Sequence, residues 1–155
     1  MDFKTAWDPD NARGDWVLGG PVADGISELE TSMLISIFTD RLAAVDDRIP
    51  DGTDNPRGWW GDDANPEDSP ETAARQIGSH LWLLDREKQA GQILQRAYDY
   101  IRDALQWLID DGVVTRFDID VRWVRRSFLG ARVTAHKPQG ATVSVAFETA
   151  WNGIY

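Results

Sequence analysis

Phe117-Asp118-Ile119-Asp120-Val121-Arg122-Trp123 alternates apolar and charged side chains without a break. Successive side chains of a strand point to opposite faces, so this period of two predicts a strand with one buried and one wetted face. The same alternation returns in Leu129, Ala131, Val133 and Ala135, after a turn at Arg125 to Ser127. It returns again in Val143, Val145, Phe147, Thr149 and Trp151, after Pro138-Gln139-Gly140. Three strands joined by short turns predict an antiparallel meander, which needs a helix on its apolar face. Residues 89–111 supply one: Ile93, Ala97, Ile101, Leu105 and Ile109 step by four, Leu94, Tyr98 and Leu108 widen the stripe, and Gly112 stops it. The fold class is therefore α+β.

Toward the N-terminus, Phe3 to Trp7 and Asp15 to Leu18 flank the turn-rich segment from Pro9 to Gly14 and predict a hairpin or a loose pair of edge strands. Ser27 and Glu30 have the spacing of a capping box. Leu29, Met33, Leu34, Ile37 and Phe38 follow at helical spacing, which predicts a helix over 28–45. Residues 46–70 form a long polar connection, a length that in a compact domain usually carries function. Ser69-Pro70-Glu71 opens a short helix ending near Gly78, and Gly78-Ser79-His80-Leu81-Trp82-Leu83-Leu84 is apolar enough to belong in the core. One domain accounts for all 155 residues, with no repeat, low-complexity tract or linker.

Composition narrows the function. There is no cysteine, which removes disulfides, thiolate metal sites and cysteine nucleophiles, and two histidines are too few for a His-rich metal cage. A net charge of −10 opposes nucleic acid, whose phosphates reward Lys and Arg. No run approaches the ~20 apolar residues that span a bilayer, and Met1-Asp2-Phe3-Lys4 lacks the order of a signal peptide. The expected compartment is the cytoplasm of the producing cell. Charge is also unevenly placed. Residues 46–71 hold nine acids against Arg48 and Arg57, whereas Arg116, Arg122, Arg125, Arg126, Arg132 and Lys137 dominate 113–137. That polarity either steers docking between subunits or is neutralised within the fold.

The chain carries no Walker, dinucleotide-binding, nucleophile-elbow or H-E-x-x-H motif, and no cofactor is expected. Asp46 to Gly52 does not follow the ligand order of a calcium loop. A glycosidase acid needs an apolar surround, and Glu148, the conceivable candidate, falls on the polar side of its strand. Eight tryptophans stand out. Trp82, Trp123 and Trp151 occupy apolar positions and read as core, and Trp107 lies beside the helix stripe. Trp59 and Trp60 sit in the long loop, where two adjacent indoles are costly to leave in water, so at least one is expected to be buried.

Several blocks together resemble a known family. They are the helix from Leu29 through Arg41, the loop Arg57-Gly58-Trp59-Trp60-Gly61-Asp62, the segment Gly78 to Leu84, Ala104 to Val113, the turn Lys137 to Gly140, and Phe147 to Trp151. The chain resembles, over about residues 28–151, the small baseplate protein of Mu-like contractile-tailed phages. That family is related to the sheath-initiating wedge subunit of other contractile tails. The stretch 63–77 departs from the pattern as a longer segment.

The resemblance implies a nonenzymatic virion protein of the tail baseplate, assembled in the host cytoplasm and partnered by other wedge proteins, tail sheath and hub components. Some relatives carry a lysozyme label, for which this chain offers no poised acid. The residues expected to meet partners are Arg57, Gly58, Trp59, Trp60, Gly61 and Asp62 in the loop. In the last strand they are Val143, Val145, Phe147 and Trp151. The rival reading, motivated by tryptophan content, is a cell-wall carbohydrate-binding or lysozyme-like tail module.

Overall fold

In the computed structural model, which describes residues 4–8, 13–17, 25–63, 76–85, 91–126 and 128–150, the alternating C-terminal third is one antiparallel sheet. Strands β3 (Arg116–Arg125), β4 (Phe128–His136) and β5 (Thr142–Ala150) run in the order β3-β4-β5. A separate hairpin, β1 (Lys4–Asp8) and β2 (Arg13–Val17), pairs Lys4 with Val17 through Asp8 with Arg13. Two α-helices are described, α1 (Gly25–Phe38) and α2 (Gly91–Asp110), with 3₁₀ turns at Trp60–Asp63 and Leu81–Leu84. The α+β reading and the three-strand meander are what the molecule shows. Residues 64–75, which hold most of the short helix expected after Ser69 and of the departure at 63–77, lie outside the described residues, as does Trp151, and Gln76 to Gly78 are not helical.

Period two decides which face is wet. Ala131, Val133, Ala135, Val143, Val145 and Phe147 are buried, and Arg132, Ser144, Ala146 and Glu148 between them are exposed. The buried side takes Ile101, Leu105 and Leu108 of α2 together with Leu29, Met33, Leu34 and Ile37 of α1. So the sheet has two covering helices where the sequence pointed to one. The Phe38 and Phe147 rings meet edge-on at 4.7 Å between centroids, which docks the end of α1 on β5. Trp107 Nε1 donates to Ser36 Oγ at 3.0 Å, and Ser36 Oγ donates back to Ser32 O, so the polar groups between the helices are satisfied.

Helix α2 ends as its sequence requires. Gly112 adopts φ +72°, and the amides of Val113 and Val114 turn back onto Leu108 O. Helix α1 does not run to residue 45. It stops at Phe38, and because it starts at Gly25, Ser27 lies within the first turn instead of capping it.

The early stop has a physical cause in the segment 78–82. Asp40 and Ser79 form a parallel bridge, with Ser79 N donating to Thr39 O and Arg41 N donating to Ser79 O. Ser79 Oγ donates to Ile37 O at 2.6 Å, and Trp82 Nε1 donates to Arg41 O at 2.9 Å. His80 Nε2 lies 2.9 Å from Leu42 O, a bond made by the Nε2–H tautomer. Carbonyls that a longer helix would satisfy internally are instead satisfied by a second strand of chain.

Gly78 makes this seam possible. It sits at φ +105°, and a Cβ there would collide with Thr39 O. Gly78→Ala should therefore cost at least about 1–3 kcal/mol from backbone strain alone, and more from the collision. Thermal unfolding measured beside Gly140→Ala, where φ is +88° with no atom within 4 Å, separates the two effects: Gly78→Ala is expected to lower the midpoint further.

Candidate partner-binding surfaces

The block from Arg57 to Asp62 is built as a bracket that holds two rings outward. Arg57 takes the left-handed φ of +56°, rare for a residue with a side chain, and Gly58 follows at +101°. Asn55 Oδ1 accepts from Arg57 N at 2.9 Å and fixes that turn. The Arg57 guanidinium reaches back over the Trp82 ring at 4.4 Å, pairs with Asp40 at 2.7 Å and approaches Asp51 at 3.5 Å. Burial pulls that guanidinium down, and the two carboxylates more than reverse it, so its pKa ends above the ordinary value. Asp51 is held below the ordinary carboxylate range, chiefly by the hydroxyl and amide of Thr53 and then by Arg57.

At the other end of the bracket, Asp62 Oδ1 accepts from Ile77 N at 3.2 Å. Arg41 donates to Gln76 O at 2.6 Å and lies in the field of Asp62 and Asp103; burial outweighs both and lowers its pKa. Gly61 is needed because the Trp59 ring occupies the place of its Cβ. Between these anchors the two rings stand 5.4 Å apart at 46°.

Neither ring is buried. Trp59 is 42% exposed and Trp60 79%, so the expectation that at least one would enter the core is corrected. The place under the loop is already filled by Trp82, which is 6% exposed and packs with Ala43, Leu83 and Ile49. Leu42 and Val45 are exposed as well, and Leu42 touches Gly58. The segments 41–45 and 56–60 run together through Ala43 N to Pro56 O. Sequence reasoning missed Leu42 and Val45 as surface residues because it placed both inside helix α1. It also missed Asp40 and Trp82 as the partners that fix Arg57.

The loop residues named from sequence thus come together in one exposed, acid-rimmed aromatic patch. The strand residues do not join them. Val143, Val145 and Phe147 turn their side chains into the core, and among the described residues β5 has a strand neighbour on the β4 side only. Lys137 N donates to Ala141 O at 2.8 Å, which makes that pair a bonded one. Bonded pairs alternate along an antiparallel ladder, so Val143, Val145 and Phe147 bond to β4. Thr142, Ser144, Ala146 and Glu148 then point their N–H and C=O groups away from β4.

Among the described residues no group of His, Asp and Glu is gathered as a metal site, and no helix is long and apolar enough to cross a membrane. Glu148, the conceivable acid, is exposed on the sheet's polar face. The arrangement offers surfaces for recognition: a displayed indole pair and an outward backbone edge.

Residues 29–142 match the family described as Phage protein GP46. The chain is similar to the baseplate protein gp46 of Escherichia phage Mu, 37% identical over 153 residues that cover 99% of each chain. It is also similar to the Mu-like prophage FluMu protein gp46 of Haemophilus influenzae, 33% identical over 151 residues covering 97% of this chain and 98% of that one.

The bracket has a pH dependence with a definite sign. A carboxylate whose folded pKa is depressed stabilises fully above its unfolded value of about 4 and loses that contribution as pH falls through the folded value. The Asp51 hold on Thr53 and Arg57 should thus loosen below about pH 4. Indole N–H resonances of Trp59 and Trp60 should shift there, and the step should vanish in Asp51→Asn.

Proposed function

This chain belongs to the phage protein GP46 family of Mu-like phage baseplate proteins, and we propose that it joins wedge proteins and nucleates the first sheath ring. A structural baseplate role, in contact with other tail components in the virion tail, is what that membership supports. The finer reading rests on one observation, the outward backbone of β5. An edge strand is a template for another chain, which adds to the sheet through main-chain hydrogen bonds. Within the described residues β5 pairs with β4 alone. Its core-facing side chains lock it to the helices, so the edge is presented as a rigid rail and little ordering cost falls on the incoming strand.

The Trp59-Trp60 patch is the second contact, toward a wedge neighbour. Aromatic residues fixed on a scaffold are the common anchors of protein interfaces because they bury a large area with little conformational freedom to lose. The acid rim selects a basic or neutral partner by excluding acidic ones. The role requires no turnover of a small substrate, and assembly takes place in the host cytoplasm.

The two contacts are separable by substitution. Removing residues 141–155 outright is a poor test, since it takes Val143, Val145 and Phe147 out of the core. Ser144→Pro is cleaner: proline is tolerated in a sheet where the lost N–H faces away from the neighbour strand. The folded variant should keep its wedge partner in co-purification and fail to nucleate sheath. Trp60→Ala should show the reverse, weakening wedge binding by about 2 kcal/mol. Normal sheath assembly on a folded Ser144→Pro subunit overturns the edge-strand reading.

A further inference from the structure

On the face of the sheet away from the helices lies a groove of about 430 Å³, lined by residues of all three strands. That size falls in the ~300–1,000 Å³ range of clefts that enclose a small organic group. Its floor is made of small residues, Gly130 and Ala146, beside Val124. A β-bulge between Trp123 and Arg125 puts Val124 out of register. Its side chain then lies over Gly130, where a Cβ would stand only 2.7 Å from Val124 Cγ2.

Arg122 and Arg132 rise from the floor, with Asp120 and Glu148 beside them. Arg122 touches Asp120 at only 4.0 Å, and Arg132 has no ion-pair partner among the described residues. A shallow apolar floor between two guanidiniums suits a flat aromatic ring, whose faces attract cations and whose indole N–H can donate to a carboxylate at the rim.

The chain carries such a ring on the segment that follows α1, the helix packed on the sheet's other face. Trp60 is 79% exposed on a segment, 40–63, that holds seven aspartates against Arg41, Arg48 and Arg57. Two of those arginines are engaged at home: Arg57 by Asp40 and Asp51, Arg41 by Gln76 O. The groove carries Arg122 and Arg132 against Asp120 and Glu148, and Arg125 adds a further positive charge at the Phe128 ring nearby. Among the described residues Arg57 pairs with Asp40 and Asp51, Arg116 with Asp118, and Arg122 with Asp120.

A displayed indole on an acidic segment and a groove walled by Arg122 and Arg132 are complementary in shape and chemistry, and Trp60 is not among the residues that line the groove of its own molecule. We infer that Trp60 of one copy seats in the Gly130/Ala146 groove of the next, between Arg122 and Arg132, in a head-to-tail contact. A contact of this kind repeats around an axis and closes into a ring when the rotation allows. The inference rests on the reading of the Trp loop as a docking element and adds that a second copy of this chain is an occupant it meets.

Sedimentation of the purified chain from micromolar to millimolar concentration should show association that weakens as salt rises. Trp60→Ala and Arg132→Glu, each checked for folding by circular dichroism, should each weaken it by at least about 30-fold. Mixed in equal amounts, these two variants should form a dimer that grows no further, because the mixture holds one intact groove and one intact loop per pair. A wild-type chain that stays monomeric throughout, or variants that fail to pair on mixing, overturns the inference. If that happens while Trp60→Ala still loses its wedge partner in co-purification, the self-contact alone is wrong. If Trp60→Ala retains the wedge partner while the wild type self-associates, the wedge reading fails and the self-contact stands.

Discussion

The seam between the end of α1 and residues 78–82 is the constraint on which the rest of the molecule depends. A helix end leaves carbonyls that must find donors, and a buried one left unpaired costs about as much as a lost hydrogen bond. Here Ser79 Oγ, Ser79 N and Trp82 Nε1 take Ile37 O, Thr39 O and Arg41 O in turn. That arrangement fixes where α1 stops, turns residues 39–45 away from the helix axis, and sets Trp82 beneath the long loop. Arg57 then has an aromatic face and the Asp40 carboxylate to hold it. Two sequence blocks, one around Arg57 and one around Trp82 twenty-five residues on, are thus parts of a single unit. Its output is a pair of indoles held in water.

Leaving Trp60 in solvent runs against the roughly 25 cal/mol per Å² that burial of apolar surface returns. The fold spends structure to keep it there. A left-handed Arg57, a positive-φ Gly58 and a side-chain-free Gly61 under the Trp59 ring all shape the loop on which the two rings stand exposed. A left-handed Arg57 persists where the surroundings over-determine it, and the hydrogen bonds of Arg57 N to Asn55 Oδ1, Thr53 N to Asp51 Oδ1 and Ile77 N to Asp62 Oδ1 do so here. The aromatic patch is a held geometry, which lowers the ordering cost of binding.

What could be read from the sequence follows the reach of each signal. Alternation over 117–147 and the four-residue step over 93–109 are repeated local patterns, and the sheet and α2 follow them closely. Helix α1 overran in the reading because Arg41 to Val45 are adequate helix formers, and nothing local says that Ser79 will claim their carbonyls. That competitor is about forty residues away in sequence. The same overrun hid Leu42 and Val45 as surface residues. Trp59 and Trp60 were misjudged for a related reason: the cost of exposure is legible locally, whereas the prior occupation of the site beneath by Trp82 is a tertiary fact. The burial of Val143, Val145 and Phe147 followed from period two alone, and the same alternation, read on the backbone, assigns the open donors to their neighbours.

Stability and presentation are carried by different atoms of the same elements. On β5 the odd-numbered side chains from Val143 to Phe147 face the helices, while the even-numbered residues from Thr142 to Glu148 are exposed and turn their backbone groups away from β4. On the loop, Arg57, Gly61 and Asp62 hold the frame and Trp60 contributes little to it. Such a division lets the exposed set change to follow a partner without unfolding the domain, because surface substitutions away from caps, strain and buried pairs alter stability by only about 0.5 kcal/mol. A structural protein of a baseplate gains from that separation. Its neighbours select the outward atoms, and the core, closed by the seam at Ser79 and Trp82, holds those atoms at fixed distances from one another.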